Sequence, residues 1–125
     1  MKIVWIAAGG ALGAVLRWML STAVQARSAT DFPFGTLAVN ILGCAAIGAL
    51  GAWLVAPGGL REEARLFLVV GVLGGFTTMS AFAWESVSLA STGAASRALL
   101  YMALSNVLCV GAAWVAFAVA RAARG

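Results

Sequence analysis

The sequence predicts an all-α integral membrane protein with four transmembrane helices. Of its 125 residues, 63% are hydrophobic and only 10% are charged, and the mean hydropathy is +1.02. A water-soluble domain of this length cannot bury so much apolar surface in one core. Four apolar stretches recur, each near the roughly 20 residues that cross a bilayer as a helix. We therefore expect a single transmembrane domain over residues 1–125, with spans near 3–25, 36–55, 66–90 and 95–119.

The net charge of +4 does not indicate nucleic-acid binding, because the basic residues do not cluster on a soluble face. Most of them lie at the ends of the predicted spans, where they meet lipid headgroups: Lys2, Arg27, Arg61, Arg65, Arg97, Arg121 and Arg124. Cys44 and Cys109 lie inside apolar stretches without a Cys-x-x-Cys spacing, so we interpret them as small packing residues, with a disulfide or metal role as the much less favoured alternative.

The first span contains Arg17, followed by Trp18. Either the span ends early and Arg17 reaches the interface beside an aromatic anchor, or its charge lies in an aqueous vestibule that concentrates anions. Gly9 and Gly13 are four apart and favour close helix packing. Because Arg17 interrupts the apolar run and three more spans follow, we expect this span to be retained and not cleaved as a signal peptide.

The second span follows Pro33, a residue suited to the first turn of a helix. Cys44, Gly48 and Ala52 form a stripe of small residues with a period of four, which predicts a packing face. Asn40 lies about one turn into the span, where an amide is costly unless it is hydrogen-bonded. It either bridges to a neighbouring helix or offers N–H donors to a passing solute.

The third span contains a weak stretch from Gly71 to Phe82, with three glycines, two adjacent threonines and a serine. Glycine costs about 1 kcal/mol at an interior helix position. The stretch predicts a helix broken at mid-membrane depth, where each freed backbone group needs protein, water or an ion as its partner. Alternatively, Gly71 and Gly75 only allow two helices to approach closely.

Polar residues continue beyond this stretch. Glu85 is the only acid within apolar sequence, about one turn past Phe82. We expect it to face water near the far interface; the less favoured alternative, a proton carrier, would need a partner that the sequence does not show. In the fourth span Tyr101, Ser105 and Cys109 recur every four residues and share one helical face. That face either holds helices together or lines a narrow path with donors.

The chemistry available in the sequence does not favour an enzyme. It has no histidine, no paired carboxylates, no lysine inside a span and no phosphate-binding loop. The spans instead contain donors without formal charge: Asn40, Thr77, Thr78, Ser80, Tyr101, Ser105 and Asn106. Such a lining suits a small anion, and the positive edges of Phe76 and Phe82 are candidates to extend it.

Three motifs resemble a known family. The first runs Gly-Gly-x-x-Gly-Ala-x-x-Arg-Trp over residues 9–18, and the second runs Phe-Gly-Thr-Leu-x-Val-Asn-x-x-Gly over residues 34–43. The third, Gly-Gly-Phe-Thr-Thr-x-Ser-x-Phe, covers residues 74–82. In this order, with four spans and this length, they are similar to the Fluc family of fluoride channels, also called CrcB-type proteins.

The resemblance implies an antiparallel, dual-topology homodimer with two fluoride pores in a bacterial plasma or inner membrane. It implies that Asn40 is the pore amide, that Arg17 lies in the vestibule, and that Phe82 lines the pore. Tyr101 and Ser105 resemble the family's polar track, beside the Thr78 and Ser80 hydroxyls. The backbone carbonyls of Gly74 and Thr77 would hold a structural sodium ion that is not transported.

Two positions depart from the family pattern. Met79 stands where the family usually has its first pore phenylalanine, and Cys109 replaces a hydroxyl on the fourth span. Methionine is polarizable and of similar bulk, so the resemblance still implies a path, with edge-on fluoride coordination on one side only.

The function that the resemblance implies is passive fluoride efflux, which lowers fluoride toxicity in the cytoplasm. One alternative is a small dual-topology multidrug exporter, but that family has an acid in its first span and this sequence has none. The other is a membrane subunit that transports nothing. Counting basic residues weakly favours one orientation with both termini inside, whereas the resemblance implies both orientations.

Overall fold

The computed structural model describes residues 1–125 and consists of helices without β-strands. Four helical stretches are long and apolar enough to cross a membrane: Lys2–Gln25, Phe34–Leu54, Glu62–Ser91 and Ala95–Ala123. The predicted all-α fold with four such helices is therefore confirmed.

The third of these stretches is composed of several segments. We label the helices α1 (Lys2–Gln25), α2 (Phe34–Leu54), α3 (Glu62–Arg65), α4 (Gly74–Phe76), α5 (Met79–Ser91) and α6 (Ala95–Ala123). Between α3 and α4, Leu66–Leu73 winds as a π-helix, which the hydropathy pattern did not predict. Between α4 and α5, Thr77 and Thr78 have extended backbones, with ψ of 155° and 107°.

Helix α1 packs closely on the π-helix and α4 because glycines remove side chains from the crossing. A methyl group added to Gly71 would lie 2.8 Å from the Cα atom of Gly9, and one added to Gly13 would collide with the Val72 carbonyl. Gly75 likewise faces the backbone of Gly10. Close helix approach, one of the two interpretations of Gly71 and Gly75, is therefore part of the structure.

Helix α2 packs along α6 through the predicted stripe of small residues. Gly48 lies against the backbone of Ala113, and Ala52 is buried. At the end of this pair, Arg124 donates to the Ala52 carbonyl and stacks over the Trp53 ring, 4.4 Å from its centroid.

Helix α5 ends in a glycine-based cap before α6 begins. Gly93, at φ +84°, donates its N–H to the Ala90 carbonyl, and Ala94 donates to the Leu89 carbonyl. This pair of bonds is the Schellman arrangement, which requires a left-handed residue and so favours glycine. The tight turn places α5 against α6, where it can contribute to the site described below.

The outer surface of the chain is strongly apolar. Large side chains such as Trp18, Trp84 and Trp114 are each at least two-thirds exposed, and only 19 of 125 residues are buried. A continuous apolar surface of this kind requires lipid or another chain as its surroundings. Together with its four spans, this surface identifies a multi-pass membrane protein.

Candidate functional site

Asn40 of α2 holds the extended segment between α4 and α5. Its Oδ1 atom accepts the Thr78 backbone N–H at 2.9 Å, and its Nδ2 atom donates to the Thr78 carbonyl at 3.1 Å. One side-chain amide thus satisfies both backbone groups of a residue that has left the helix. Of the two roles predicted for Asn40, the bridge to a neighbouring segment is present, and its second Nδ2 hydrogen has no partner in the chain.

The two threonines organise the segment in different ways. The Thr78 hydroxyl accepts the Ala81 N–H at 3.2 Å, which caps the first turn of α5, and it lies 3.3 Å from the Ser80 hydroxyl. Thr77 directs both its N–H and its hydroxyl to the Leu73 carbonyl, each at 3.0 Å. The segment is therefore fixed by defined hydrogen bonds.

The Thr77 carbonyl oxygen is the exception, because no backbone or side-chain donor reaches it. A carbonyl without a partner within an apolar chain needs water, a ligand or a cation to satisfy it. Gly74, whose carbonyl was predicted to act with that of Thr77, is exposed beside the same groove.

Most of the predicted site residues line one groove of about 450 Å³. These are Asn40, Gly74, Thr77, Thr78, Met79, Phe82 and Ser105. Residues from α2, the third span and α6 meet here, although they are far apart in the sequence. No charged side chain lines the groove, and Met79, at its edge, is 73% exposed.

Ser105 supplies a buried donor to this groove. Ser105 is only 6% exposed, and its Oγ atom lies near the Tyr101 hydroxyl but forms no hydrogen bond of normal geometry within the chain. A buried hydroxyl without a partner is unusual, because its desolvation is not offset. Asn40 and Asn106, which also line the groove, each have one side-chain N–H without a partner in the chain, so the groove has three uncharged donors.

Tyr101 lies outside the groove and contacts Glu85. Its hydroxyl donates to Glu85 Oε2 at 2.7 Å, and the Thr36 hydroxyl donates to Oε1 at 2.6 Å. Both carboxylate oxygens are thus bound by side chains of neighbouring helices, and the half-buried Glu85 also lines the second cavity described below. The sequence did contain a signal for these contacts: Glu85 is a lone acid within apolar sequence, and a carboxylate removed from water needs hydrogen-bond donors from neighbouring helices.

The Tyr101 ring also positions Phe82. Tyr101 is fully buried, and its ring centroid lies 5.4 Å from that of Phe82 and 5.6 Å from that of Phe32. This aromatic packing holds Phe82 at the wall of the groove, whereas Phe76, the other candidate ring, does not line it.

Arg17 lies at a second cavity, of about 340 Å³. The cavity is also lined by Trp18, Thr36, Thr78 and Glu85. Arg17 is partly buried and forms neither a salt bridge nor a side-chain hydrogen bond within the chain. Thr78 lines both this cavity and the groove, so the two spaces are neighbours across one residue.

Comparison with known proteins gives the family. Residues 4–117 match the family described as CrcB-like protein, Camphor Resistance (CrcB). The chain belongs to the CrcB family. It is 44% identical over 121 residues to the "Fluoride-specific ion channel FluC" of Magnetococcus marinus, covering 97% of this chain and 98% of that protein.

Other CrcB relatives are similar to it at comparable levels. The protein of the same name from Agrobacterium fabrum is 40% identical over 121 residues and covers 97% of both chains. The one from Thermus thermophilus is 50% identical over 96 residues, which cover 77% of this chain and 76% of that protein. The family resemblance inferred from the three motifs is therefore confirmed.

The three CrcB motifs converge in the structure. The first supplies the glycines that bring α1 onto the third span, together with Arg17 at the second cavity. The second supplies Asn40, and the third supplies the extended Thr77 and Thr78 that Asn40 holds. Sequences separated along the chain thus build one site.

Proposed function

We propose that this protein is a fluoride-specific ion channel through which fluoride leaves the cell passively, so that its toxic concentration in the cytoplasm falls. CrcB relatives that carry that name match this chain over nearly the whole length of both sequences. As a channel, it is not an enzyme. The structural observation that carries the proposal is the buried Ser105 hydroxyl, which lines the groove and has no partner.

The chemistry of the groove suits a small anion that only accepts hydrogen bonds. Fluoride must exchange water for other donors when it leaves solution, and Ser105 and the free Asn40 N–H are placed to supply them. A hydrogen bond to a charged partner contributes about 1.5–3 kcal/mol, which offsets part of the dehydration cost. Because the donors carry no formal charge, the ion can also leave.

The remaining predicted residues complete this path in our proposal. The Phe82 ring presents its positive edge to the ion, with Met79 at the position of the family's first phenylalanine. In this proposal the Thr78 and Ser80 hydroxyls and, behind Phe82, the Tyr101 hydroxyl would continue the series of donors, and Arg17 would raise the local anion concentration at the mouth of the path.

We further propose that two copies of the chain assemble as an antiparallel homodimer in the bacterial inner membrane, surrounded by its lipids. At the twofold axis, the Gly74 and Thr77 carbonyls of both copies would hold one structural sodium ion. The unpaired Thr77 carbonyl fits this role, since hard cations prefer oxygen ligands. A bound cation there would satisfy backbone groups that lipid cannot.

The test is fluoride efflux from liposomes that contain the purified protein, measured with a fluoride electrode. We expect rapid fluoride efflux when a potassium ionophore balances the charge, and negligible chloride efflux under the same conditions. Equal release of both anions would contradict fluoride specificity. No release of either would favour the structural subunit, and proton-driven transport of organic cations would favour the multidrug exporter.

A further inference from the structure

Cys44 of α2 and Cys109 of α6 meet across the interface of these two helices. Both thiols are free and partly buried. Gly48 and Ala113, which lie four residues further along α2 and α6, are in close backbone contact, so the two cysteines lie on facing surfaces of these helices one turn before that contact. Both also line the groove that contains Ser105, one turn before Cys109. The residues interpreted from sequence as separate packing cysteines are therefore a pair of thiols open to a common space.

The groove around this pair excludes most metals. The groove contains no histidine or carboxylate. No group of three or more histidine, cysteine, aspartate or glutamate side chains is close enough anywhere in the chain to hold a metal ion. Zinc and iron–sulfur centres normally need four ligands, and hard cations prefer oxygen. Two thiols suit a soft d¹⁰ cation that forms linear two-coordinate complexes with sulfur ligands.

The charge of the metal complex favours a divalent cation over a monovalent one. Metal binding requires thiolates, so both cysteines lose a proton. A monovalent ion held by two thiolates would leave a negative charge in the groove, where no Lys or Arg side chain is present to balance it. A divalent ion forms a neutral complex, which is far less costly in apolar surroundings.

We propose that Cys44 and Cys109 form a binding site for one soft divalent cation, for which Hg²⁺ is the probe. Two S–H bonds break, two S–Hg bonds form, and two protons leave to water at the edge of the groove, with no change in oxidation state. The bound ion joins α2 to α6 next to Ser105. The Met79 thioether lines the same groove, which gives it an additional soft sulfur.

The experiment measures mercury stoichiometry and retention on purified protein in detergent by intact mass spectrometry. We expect one Hg²⁺ per protomer, with the mass of two protons lost, whereas the monofunctional methylmercury cation adds twice. A monothiol competitor should remove mercury from the wild type only at a concentration roughly 10²-fold higher than from Cys44→Ser or Cys109→Ser, because the second thiol acts intramolecularly.

The control is the double variant Cys44→Ser/Cys109→Ser, which should retain no mercury. If a serine variant cannot be extracted from the membrane in folded form, the alanine variant at the same position is used in its place. Two Hg²⁺ ions per wild-type protomer would overturn the site. So would a single variant that holds mercury as firmly as the wild type, since one cysteine, or two copies of it in an assembly, would then suffice. Because the readout is binding, it does not depend on fluoride flux.

Discussion

At the scale of single residues, Asn40 combines a structural and a proposed functional role in one amide. Two of its hydrogen-bonding groups are committed to Thr78, and one N–H remains free at the groove. The sequence indicated that a polar side chain here needs a partner, but it could not show which one. Residues 38 apart in the chain are paired by the fold, and no local spacing encodes that contact.

We predict that Asn40→Asp abolishes fluoride flux and lowers stability. The carboxylate keeps an acceptor for the Thr78 N–H but has no donor for the Thr78 carbonyl, and it adds a negative charge beside the groove. Loss of a buried hydrogen bond costs about 1–3 kcal/mol. Liposome efflux and thermal unfolding in detergent measure the two effects. Wild-type flux in this variant would remove Asn40 from the path.

Phe82 and Met79 both line the groove, but their surroundings differ. Phe82 packs against the buried Tyr101 ring, whereas Met79 is mostly exposed. We therefore predict that Phe82→Ala reduces fluoride flux at least about tenfold, which corresponds to about 1.4 kcal/mol, while Met79→Phe retains flux. Both are measured in the same efflux assay. A larger loss in Met79→Phe would show that the motif does not transfer the role of Phe82 to this chain.

At the scale of helices, the apolar stretches were sufficient to predict four spans, because a chain in lipid must satisfy its own backbone. The π-helix at Leu66–Leu73 was not predictable in the same way. The hydropathy of its side chains is the same whether the segment forms an α-helix or a π-helix. The choice between the two therefore depends on contacts with the rest of the fold. The glycine crossing with α1 is one such contact, and it involves residues from two distant motifs.

This crossing leads to a paired prediction within α1. A methyl group at Gly9 collides with the Phe67 carbonyl, whereas one at the adjacent Gly10 meets no atom within 4 Å. Gly9→Ala should destabilise the protein by about 1–3 kcal/mol through overpacking. Gly10→Ala should be neutral or stabilise by up to about 1 kcal/mol, since alanine favours helix. Thermal unfolding of both variants in one detergent compares them, and equal midpoints would contradict the crossing.

At the scale of the whole molecule, the basic residues weakly favour one orientation of the chain, whereas the proposed antiparallel dimer requires both. One set of span ends carries five basic residues: Lys2, Arg61, Arg65, Arg121 and Arg124. The opposite ends carry Arg27 and Arg97, with Arg17 as a third if its span ends early. So small a bias does not impose one topology.

We predict that the protein inserts in both orientations. In the Cys44→Ser/Cys109→Ser background, Gly125→Cys places a single thiol at the exposed C-terminus. A membrane-impermeant thiol reagent should label about half of the protein in intact cells and the rest only after permeabilisation, because an antiparallel dimer places one terminus on each side. Labelling from one side alone would exclude that dimer.

We also predict that sodium is needed for flux. If the Thr77 carbonyls bind the ion, its removal leaves them unsatisfied, each at a cost of several kcal/mol in apolar surroundings. Protein purified with a large organic cation in place of sodium should lose fluoride flux, and sodium should restore it at constant ionic strength. Elemental analysis must verify that sodium has been removed. If flux is then unchanged, water or neighbouring hydroxyls, and not sodium, are the partners of those carbonyls.

The position of Thr78 between two cavities has an electrical consequence. The space beside Arg17 and the groove beside Ser105 are each several hundred cubic ångströms in volume, and Thr78 is the residue that lines both. In the proposed channel, these two spaces are wide conductors joined through a narrow one at Thr78. They then behave as resistors in series, and the narrow element sets the current. Enlarging either cavity should then change the conductance little, whereas one methyl group more or less at residue 78 should change it greatly.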